Sequence, residues 1–223
     1  MTAMTGVIAM KAPTAEPKLK FCGITRQEDA SKAAALGACL MGFVFHPGSP
    51  RDLSPKDASV IHSQGVPRVG VFVGQDGREI LPVMGEAALS YAQFHGAQTK
   101  EDAEIVGPER VIRVFWPETA RDPDSFRREL EGWANHAAFF LFDAGSGGGG
   151  HGRGIPEKSL GLLGRSPKGY LLAGGLTPDN ARGLWPGNDG KLLGFDFNSG
   201  VESSPGIKDH TLMERAAMLW RRA

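Results

Sequence analysis

The sequence predicts an α/β chain folded as a single (β/α)₈ barrel with a parallel eight-stranded core. Short apolar runs of strand composition alternate with helix-like stretches from about Leu19 to the C-terminus. Most of those runs are near-continuously apolar, as parallel strands covered on both faces require. Eight such units fit into residues 18–223, which suits a compact barrel near the lower end of that fold's size range. A doubly wound open sheet is the alternative. It usually has fewer strands and a G-x-G-x-x-G turn after the first, where this chain reads Cys22-Gly23-Ile24-Thr25.

The first strand is expected over Leu19–Cys22. The helix after it, Gln27–Leu36, has Thr25 as its expected N-cap, Glu28 and Asp29 in its first turn and Ala30, Ala33, Ala34, Ala35 and Leu36 as its packing face. The second unit pairs Leu40–Phe45 with a helix over Pro55–Gln64. The third pairs Arg68–Val73 with a weak helix over Arg78–Gly85, preceded by a turn at Gly74-Gln75-Asp76-Gly77 and interrupted by Pro82. Tyr91–Phe94 and Lys100–Val106 make the fourth unit, and Val111–Phe115 and Pro123–Asn135 the fifth. Phe139–Phe142 is followed by the glycine-rich segment Gly145–Gly154 and a helix over Glu157–Gly164. The seventh and eighth units pair Tyr170–Ala173 with Pro178–Leu184 and Leu192–Phe197 with Lys208–Arg222.

Met1–Pro17 has neither a sustained apolar core nor a convincing cleavage site, so it reads as a flexible N-terminal tail ahead of the barrel. The chain carries 25 basic and 25 acidic side chains and no formal net charge. That balance leaves no electrostatic footprint for nucleic acid or for an anionic membrane surface. No apolar run approaches the roughly 20 residues of a membrane helix. Two cysteines, Cys22 and Cys39, do not make a disulfide framework, so a reduced, cytoplasmic protein is expected. A neutral surface is compatible with a monomer or a homodimer.

In a barrel the residues that end the strands and open the βα loops share one face, and chemistry is sought there. The strands contribute Cys22, His46 with the loop to Arg51, His95-Gly96, Trp116, Asp143, Gly174-Gly175-Leu176 and Asn198-Ser199-Gly200-Val201-Glu202 in turn. Cys22 is a core thiol or a group facing a pocket. The glycines after strands seven and eight let backbone N–H groups approach an anion, and barrels frequently hold phosphate between those two loops. Asp143 emerges from the aromatic run Phe139-Phe140-Leu141-Phe142. Desolvation there would favour its protonated form and suit a general acid; a carboxylate accepting backbone N–H bonds would do the reverse. Arg51 offers a planar fork for a carboxylate or phosphate, or is a solvated loop charge. No pair of His46, His95 and His151 has metalloprotease spacing, and two lone cysteines cannot build a zinc cluster, so no metal site is expected.

Six colinear strings carry a family likeness: Lys20-Phe21-Cys22-Gly23-Ile24-Thr25, Gly42-Phe43-Val44-Phe45-His46-Pro47, Ser49-Pro50-Arg51, Gln93-Phe94-His95-Gly96, Leu172-Ala173-Gly174-Gly175-Leu176-Thr177-Pro178, and Ser199-Gly200-Val201-Glu202-Ser203 with Pro205-Gly206-Ile207-Lys208-Asp209. Together they resemble phosphoribosylanthranilate isomerase of the tryptophan pathway, over all of the chain but its tail. The resemblance implies a (β/α)₈ barrel and an Amadori rearrangement of N-(5-phosphoribosyl)anthranilate, with neither metal nor redox cofactor. It implies that Cys22 is the general base and Asp143 the general acid. By the same resemblance Arg51 holds the anthranilate carboxylate, and Gly174, Gly175, Ser199 and Gly200 hold the phosphate. The sequence departs from the family at Gly149-Gly150-His151-Gly152 and Ile155-Pro156-Glu157, where a Gly-Gly-Thr-Gly segment and a Phe-Asp-Trp-like triplet are common. Phe94 stands where leucine is usual, and Asn198 where a second serine is common.

Two other readings compete. One is a neighbouring phosphate-binding barrel such as indole-glycerol phosphate synthase or a histidine-pathway sugar isomerase; the former would need a catalytic lysine at a strand end, whereas Lys18 and Lys20 lie inside or before the first strand. A non-catalytic phosphate-binding barrel would not require Cys22 and Asp143.

Overall fold

A computed structural model describes residues 18–144, 161–181 and 191–219. Eight strands close into a barrel in chain order: β1 (Lys18–Phe21), β2 (Leu40–Phe45), β3 (Arg68–Phe72), β4 (Tyr91–Phe94), β5 (Val111–Phe115), β6 (Phe139–Asp143), β7 (Tyr170–Ala173) and β8 (Leu192–Phe197). Every neighbouring pair is parallel, and β8 returns to β1 with Lys20 opposite Asp196 and Phe21 opposite Phe197.

Side chains alternate along each strand, so two cores form. Leu40, Val69, Ile112, Val114, Leu141 and Leu171 fill the barrel interior. Phe21, Phe43, Phe72, Phe94, Phe115, Phe140, Phe142, Phe195 and Phe197 point outward against the helices. Removing each of these rings from water stabilises the fold by about 2 kcal/mol. Phenylalanine dominates the outer face, whereas the interior is mostly aliphatic with Tyr91 and Phe139 among it.

The described helices are α1 (Gln27–Ala35), α2 (Pro55–Ser59), α3 (Gly77–Glu86), α4 (Lys100–Val106), α5 (Pro123–Trp133) and α6 (His210–Met218). Five begin at side-chain caps that satisfy otherwise orphaned N–H groups. Ser54, Asp76, Thr99, Asp122 and Asp209 fill that role for α2 to α6, with reciprocal capping boxes at Asp76, Thr99 and Asp122. The Asp76 box starts α3 firmly enough that Pro82 sits inside it, so the helix read as interrupted is continuous.

Several expected boundaries are corrected. Thr25 is not the N-cap of α1: its hydroxyl donates to the Gly206 carbonyl, and Arg26 occupies the cap position without a side-chain capping bond, its guanidinium pairing with Asp29 instead. The helix expected over Pro55–Gln64 ends at Ser59. Lys208 belongs to no helix; it lies in a hairpin of β9 (Glu202–Ser204) and β10 (Ile207–Lys208) that the apolar pattern did not announce, because only Ile207 and Lys208 face Ser204 and Glu202. The expected tail, the segment 145–157, the helix over 157–164 through residue 160 and the end of the helix over 178–184 lie outside the described residues.

Candidate active site

Cys22 follows the last residue of β1, and its backbone N–H still donates to the Phe197 carbonyl of β8 at 2.8 Å. Its side chain is buried with Val44 and Val71. Gly42 on β2 makes the room: a Cβ there would lie 2.5 Å from the Cys22 Sγ. Burial pushes the thiol above its ordinary range, and Asp196 adds to that; Lys20 and Lys208 oppose it by favouring the thiolate.

Arg51 lies in the loop after β2, its backbone N–H bonded to the Ser49 hydroxyl. Its guanidinium is engaged from within the chain. Nε and Nη2 donate to the two carboxylate oxygens of Glu202 at 2.8 and 2.6 Å, the fork-to-fork geometry of a strong charge-assisted pair. Arg51 is therefore not a solvated loop charge. Glu202 also accepts from the Lys208 Nζ at 2.8 Å. Burial alone would raise Glu202, yet Arg51 and Lys208 together hold its carboxyl below the usual range. The Lys208 ammonium donates further to the Asn198 side-chain and main-chain oxygens, at 3.0 and 3.3 Å.

Asp143 is the final residue of β6 and is buried, paired in register with Ala173 of β7. Gly174 follows at φ +88°, and a Cβ on it would lie 2.5 Å from Asp143 Oδ1 and 2.3 Å from the Ala144 nitrogen. Only glycine lets the chain leave β7 so close to that carboxyl. Gly175 is also left-handed, at φ +61°, and its carbonyl accepts from the Asn180 amide. Beyond β8 the chain turns at Asn198 into a 3₁₀ segment over Ser199–Val201. A Cβ on Gly200 would come 1.8 Å from the Leu176 carbonyl oxygen, so the loops after β7 and β8 are packed together. The four residues expected at the phosphate, Gly174, Gly175, Ser199 and Gly200, thus share one corner of the rim.

His95 and Trp116, at the ends of β4 and β5, meet edge to face with ring centroids 5.3 Å apart. The Gln93 amide lies 3.3 Å from His95 Nδ1. Burial, with Lys20, Arg113 and His46 adding, lowers His95 to about 4, so it is neutral near pH 7. His151 lies outside the described residues. Among the described residues no three His, Cys, Asp or Glu side chains form a group that could hold a metal ion, and no described helix is long and apolar enough to cross a membrane.

Three residues around Cys22 and Arg51 were not singled out from the sequence: Lys20, Asp196 and Lys208. Lys20 and Asp196 had a readable signal, each being a charge within a strand and two positions before a rim residue. Glu202 was placed on the rim by its position after strand eight, but its pairing with Arg51 and Lys208 had no signal, because it depends on a hairpin.

A family model described as N-(5'phosphoribosyl)anthranilate (PRA) isomerase matches residues 19–217. The chain is 46% identical over 197 residues to the N-(5'-phosphoribosyl)anthranilate isomerase of Desulfovibrio desulfuricans, covering 86% of this chain and 89% of the relative. It is 38% identical to the protein of that name in Maridesulfovibrio salexigens, covering 89% and 95%. Among solved structures, the phosphoribosyl anthranilate isomerase of Thermus thermophilus superposes with a TM-score of 0.77 at 35% identity, covering 91% of this chain and 97% of that one. Another phosphoribosyl anthranilate isomerase, in complex with reduced 1-(o-carboxyphenylamino)-1-deoxyribulose 5-phosphate, gives 0.74 at 31% identity, covering 93% and 100%. The barrel topology, a family match spanning nearly all of the described residues and relatives alike over most of their lengths agree: the chain belongs to the N-(5'-phosphoribosyl)anthranilate isomerase family.

Proposed function

We propose that this isomerase converts N-(5-phosphoribosyl)anthranilate to 1-(2-carboxyphenylamino)-1-deoxyribulose 5-phosphate, an aldose-to-ketose rearrangement of the intramolecular oxidoreductase type, in L-tryptophan biosynthesis. One observation carries the assignment of roles. Cys22, just past β1, and Asp143, at the end of β6, stand on the same barrel rim as the paired glycine loops after β7 and β8, which supports a phosphorylated sugar anchored at the loops with both groups facing it.

In this reading the Asp143 carboxyl protonates the furanose ring oxygen, and the ring opens to a Schiff base. The Cys22 thiolate takes the C2′ proton to give an enolamine, which gains a proton at C1′ as it becomes the ketone. The two groups have opposite requirements, since a thiol near 8.5 must lose its proton and a carboxyl near 3.9 must hold one. Backbone N–H groups at Gly174, Gly175, Ser199 and Gly200 hold the phosphate. Arg51 faces the anthranilate carboxylate with Nη1, which has no partner among the described residues, while Glu202 fixes the other edge of the guanidinium.

No metal or redox cofactor enters this scheme. A reduced, cytoplasmic setting fits it, because the base is a free thiol. A Thermotoga maritima relative at 30% identity is described as dimeric, which supports a homodimer over a monomer here. Loss of substrate fluorescence on adding purified protein tests the activity. Linear turnover is expected, and a folded, monodisperse sample without turnover contradicts it.

A further inference from the structure

Beneath Cys22 the barrel interior holds a buried ion pair that the chemistry above does not use. Lys20 stands two residues before Cys22 on β1, so both side chains project from the same face of the strand. Its Nζ lies 2.6 Å from Asp196 Oδ2 on β8, directly opposite in register. Lys20 is fully buried, and the other Asp196 oxygen, Oδ1, is buried with no hydrogen-bond partner among the described residues. Val114 and Leu141 belong to the same mostly apolar interior, which also holds the buried Gln93 of β4. A buried pair of this kind adds little net stability over apolar side chains of equal volume. Its place in the fold therefore calls for another explanation.

Resting on the reading of Cys22 as the base, we propose that Lys20 and Asp196 are positioning residues that set the charge state of the Cys22 thiol, Lys20 favouring the thiolate and Asp196 restraining it. The charges around the thiol support this. Lys20 comes from β1, Asp196 from β8, Arg51 from the loop after β2, and Glu202 and Lys208 from the β9–β10 hairpin. Lys20, Lys208 and Arg51 thus bring positive charge toward the thiol, and Asp196 brings negative charge. Lys20 and Lys208 both draw the thiol down against its burial, and Asp196 acts in the opposite sense. Burial pulls Lys20 toward neutrality, but Asp196 and Cys22 more than offset it, so the ammonium persists. On proton abstraction from C2′ the thiolate becomes a neutral thiol, and the lysine charge falls back on Asp196 alone. The pair is thus placed to make the base available before the reaction and to hold the lysine afterwards.

The test is a titration of the Cys22 thiolate by its ultraviolet absorbance, in a Cys39→Ala background, with the Cys22→Ala/Cys39→Ala protein subtracted. Lys20→Met should raise the midpoint by about one pH unit or more, and Asp196→Asn should lower it. The pH profile of kcat should move with each midpoint while KM changes by less than about twofold. Lys20→Met/Asp196→Asn, which buries no unpaired charge, should titrate about one unit or more above Asp196→Asn, and this comparison decides the matter if Lys20→Met alone does not fold. Unchanged midpoints, or shifts of the same sign in the two single variants, overturn the proposal. The titration does not depend on turnover. Full activity of Cys22→Ala would remove the base assignment itself and is a separate outcome.

Discussion

Arg51 and Glu202 are locked together by two parallel hydrogen bonds of 2.8 and 2.6 Å, although they lie on different loops of the rim. Glu202 is almost fully buried, and Arg51 is largely so, with Lys208 the only other cation bonded to the carboxylate among the described residues. Arg51 therefore tethers the loop after β2 to the hairpin after β8, and in the proposed function it also binds the anthranilate carboxylate.

That double role predicts a mixed phenotype. Arg51→Ala should raise KM by about tenfold or more and should also destabilise the fold by about 3 kcal/mol, because it leaves Glu202 buried with half its partners. Arg51→Lys should rescue little of either, since an ammonium cannot reproduce the fork. Urea unfolding beside steady-state kinetics separates the two effects. A raised KM with unchanged stability would mean that the Arg51–Glu202 tether contributes nothing to the fold.

Gly200→Ala would place a methyl group 1.8 Å from the Leu176 carbonyl oxygen, a backbone atom that cannot swing away. The loops after β7 and β8 must then separate. We expect KM and the inhibition constant of inorganic phosphate to rise together, by about tenfold, with a stability loss of about 1–3 kcal/mol. Unaltered phosphate inhibition in this variant would place the anion elsewhere.

His95 gives a pH dependence of stability with a definite sign. Its folded value near 4 lies below the ordinary 6.5, so between those values the unfolded chain binds more protons than the folded one. Stability is then lost as pH falls from about 6.5 toward 4, by at most about 3 kcal/mol, and this contribution is constant above that window. Urea midpoints at pH 7 and pH 5 should converge in His95→Gln relative to the parent. An equal drop in both proteins would assign the effect to other groups.

Arg68, at the start of β3, tests the account of the fold. Its guanidinium donates to the Ala87 and Ala58 carbonyls at 2.9 and 2.6 Å and lies 4.2 Å over the Phe43 ring. It closes the end of the short helix α2, which has no glycine cap of its own. Arg68→Met keeps the stem but orphans those carbonyls, and should cost about 2–4 kcal/mol in urea unfolding without changing kcat.

The barrel was legible because its strands are short, separate and almost wholly apolar, a pattern that few other architectures need. Phe139–Asp143 and Leu192–Phe197 show this well: each was readable to within one residue. Helix starts were legible where the cap is local, as at Ser54 and Thr99, and were misread at Thr25, whose hydroxyl is used by Gly206 far along the chain. Site residues that act through the backbone or stand at strand ends could be placed by counting strands. Glu202 could be placed so, but its bonds to Arg51 and Lys208 could not, because a contact between the β9–β10 hairpin and Arg51 across the rim leaves no trace in local periodicity. Lys20 and Asp196 lay between these cases, visible as charges in apolar strands but without a sequence rule that pairs strand one with strand eight unless the barrel is closed.

The central claim is that Cys22 and Asp143 act as base and acid on one phosphorylated substrate. The most direct measurement is kcat on N-(5-phosphoribosyl)anthranilate for the parent, Cys22→Ala and Asp143→Asn, each shown to be folded by urea unfolding. The account predicts measurable parent turnover and a fall in kcat of about two to four orders of magnitude in each variant. Near-parent kcat in either folded variant would contradict it.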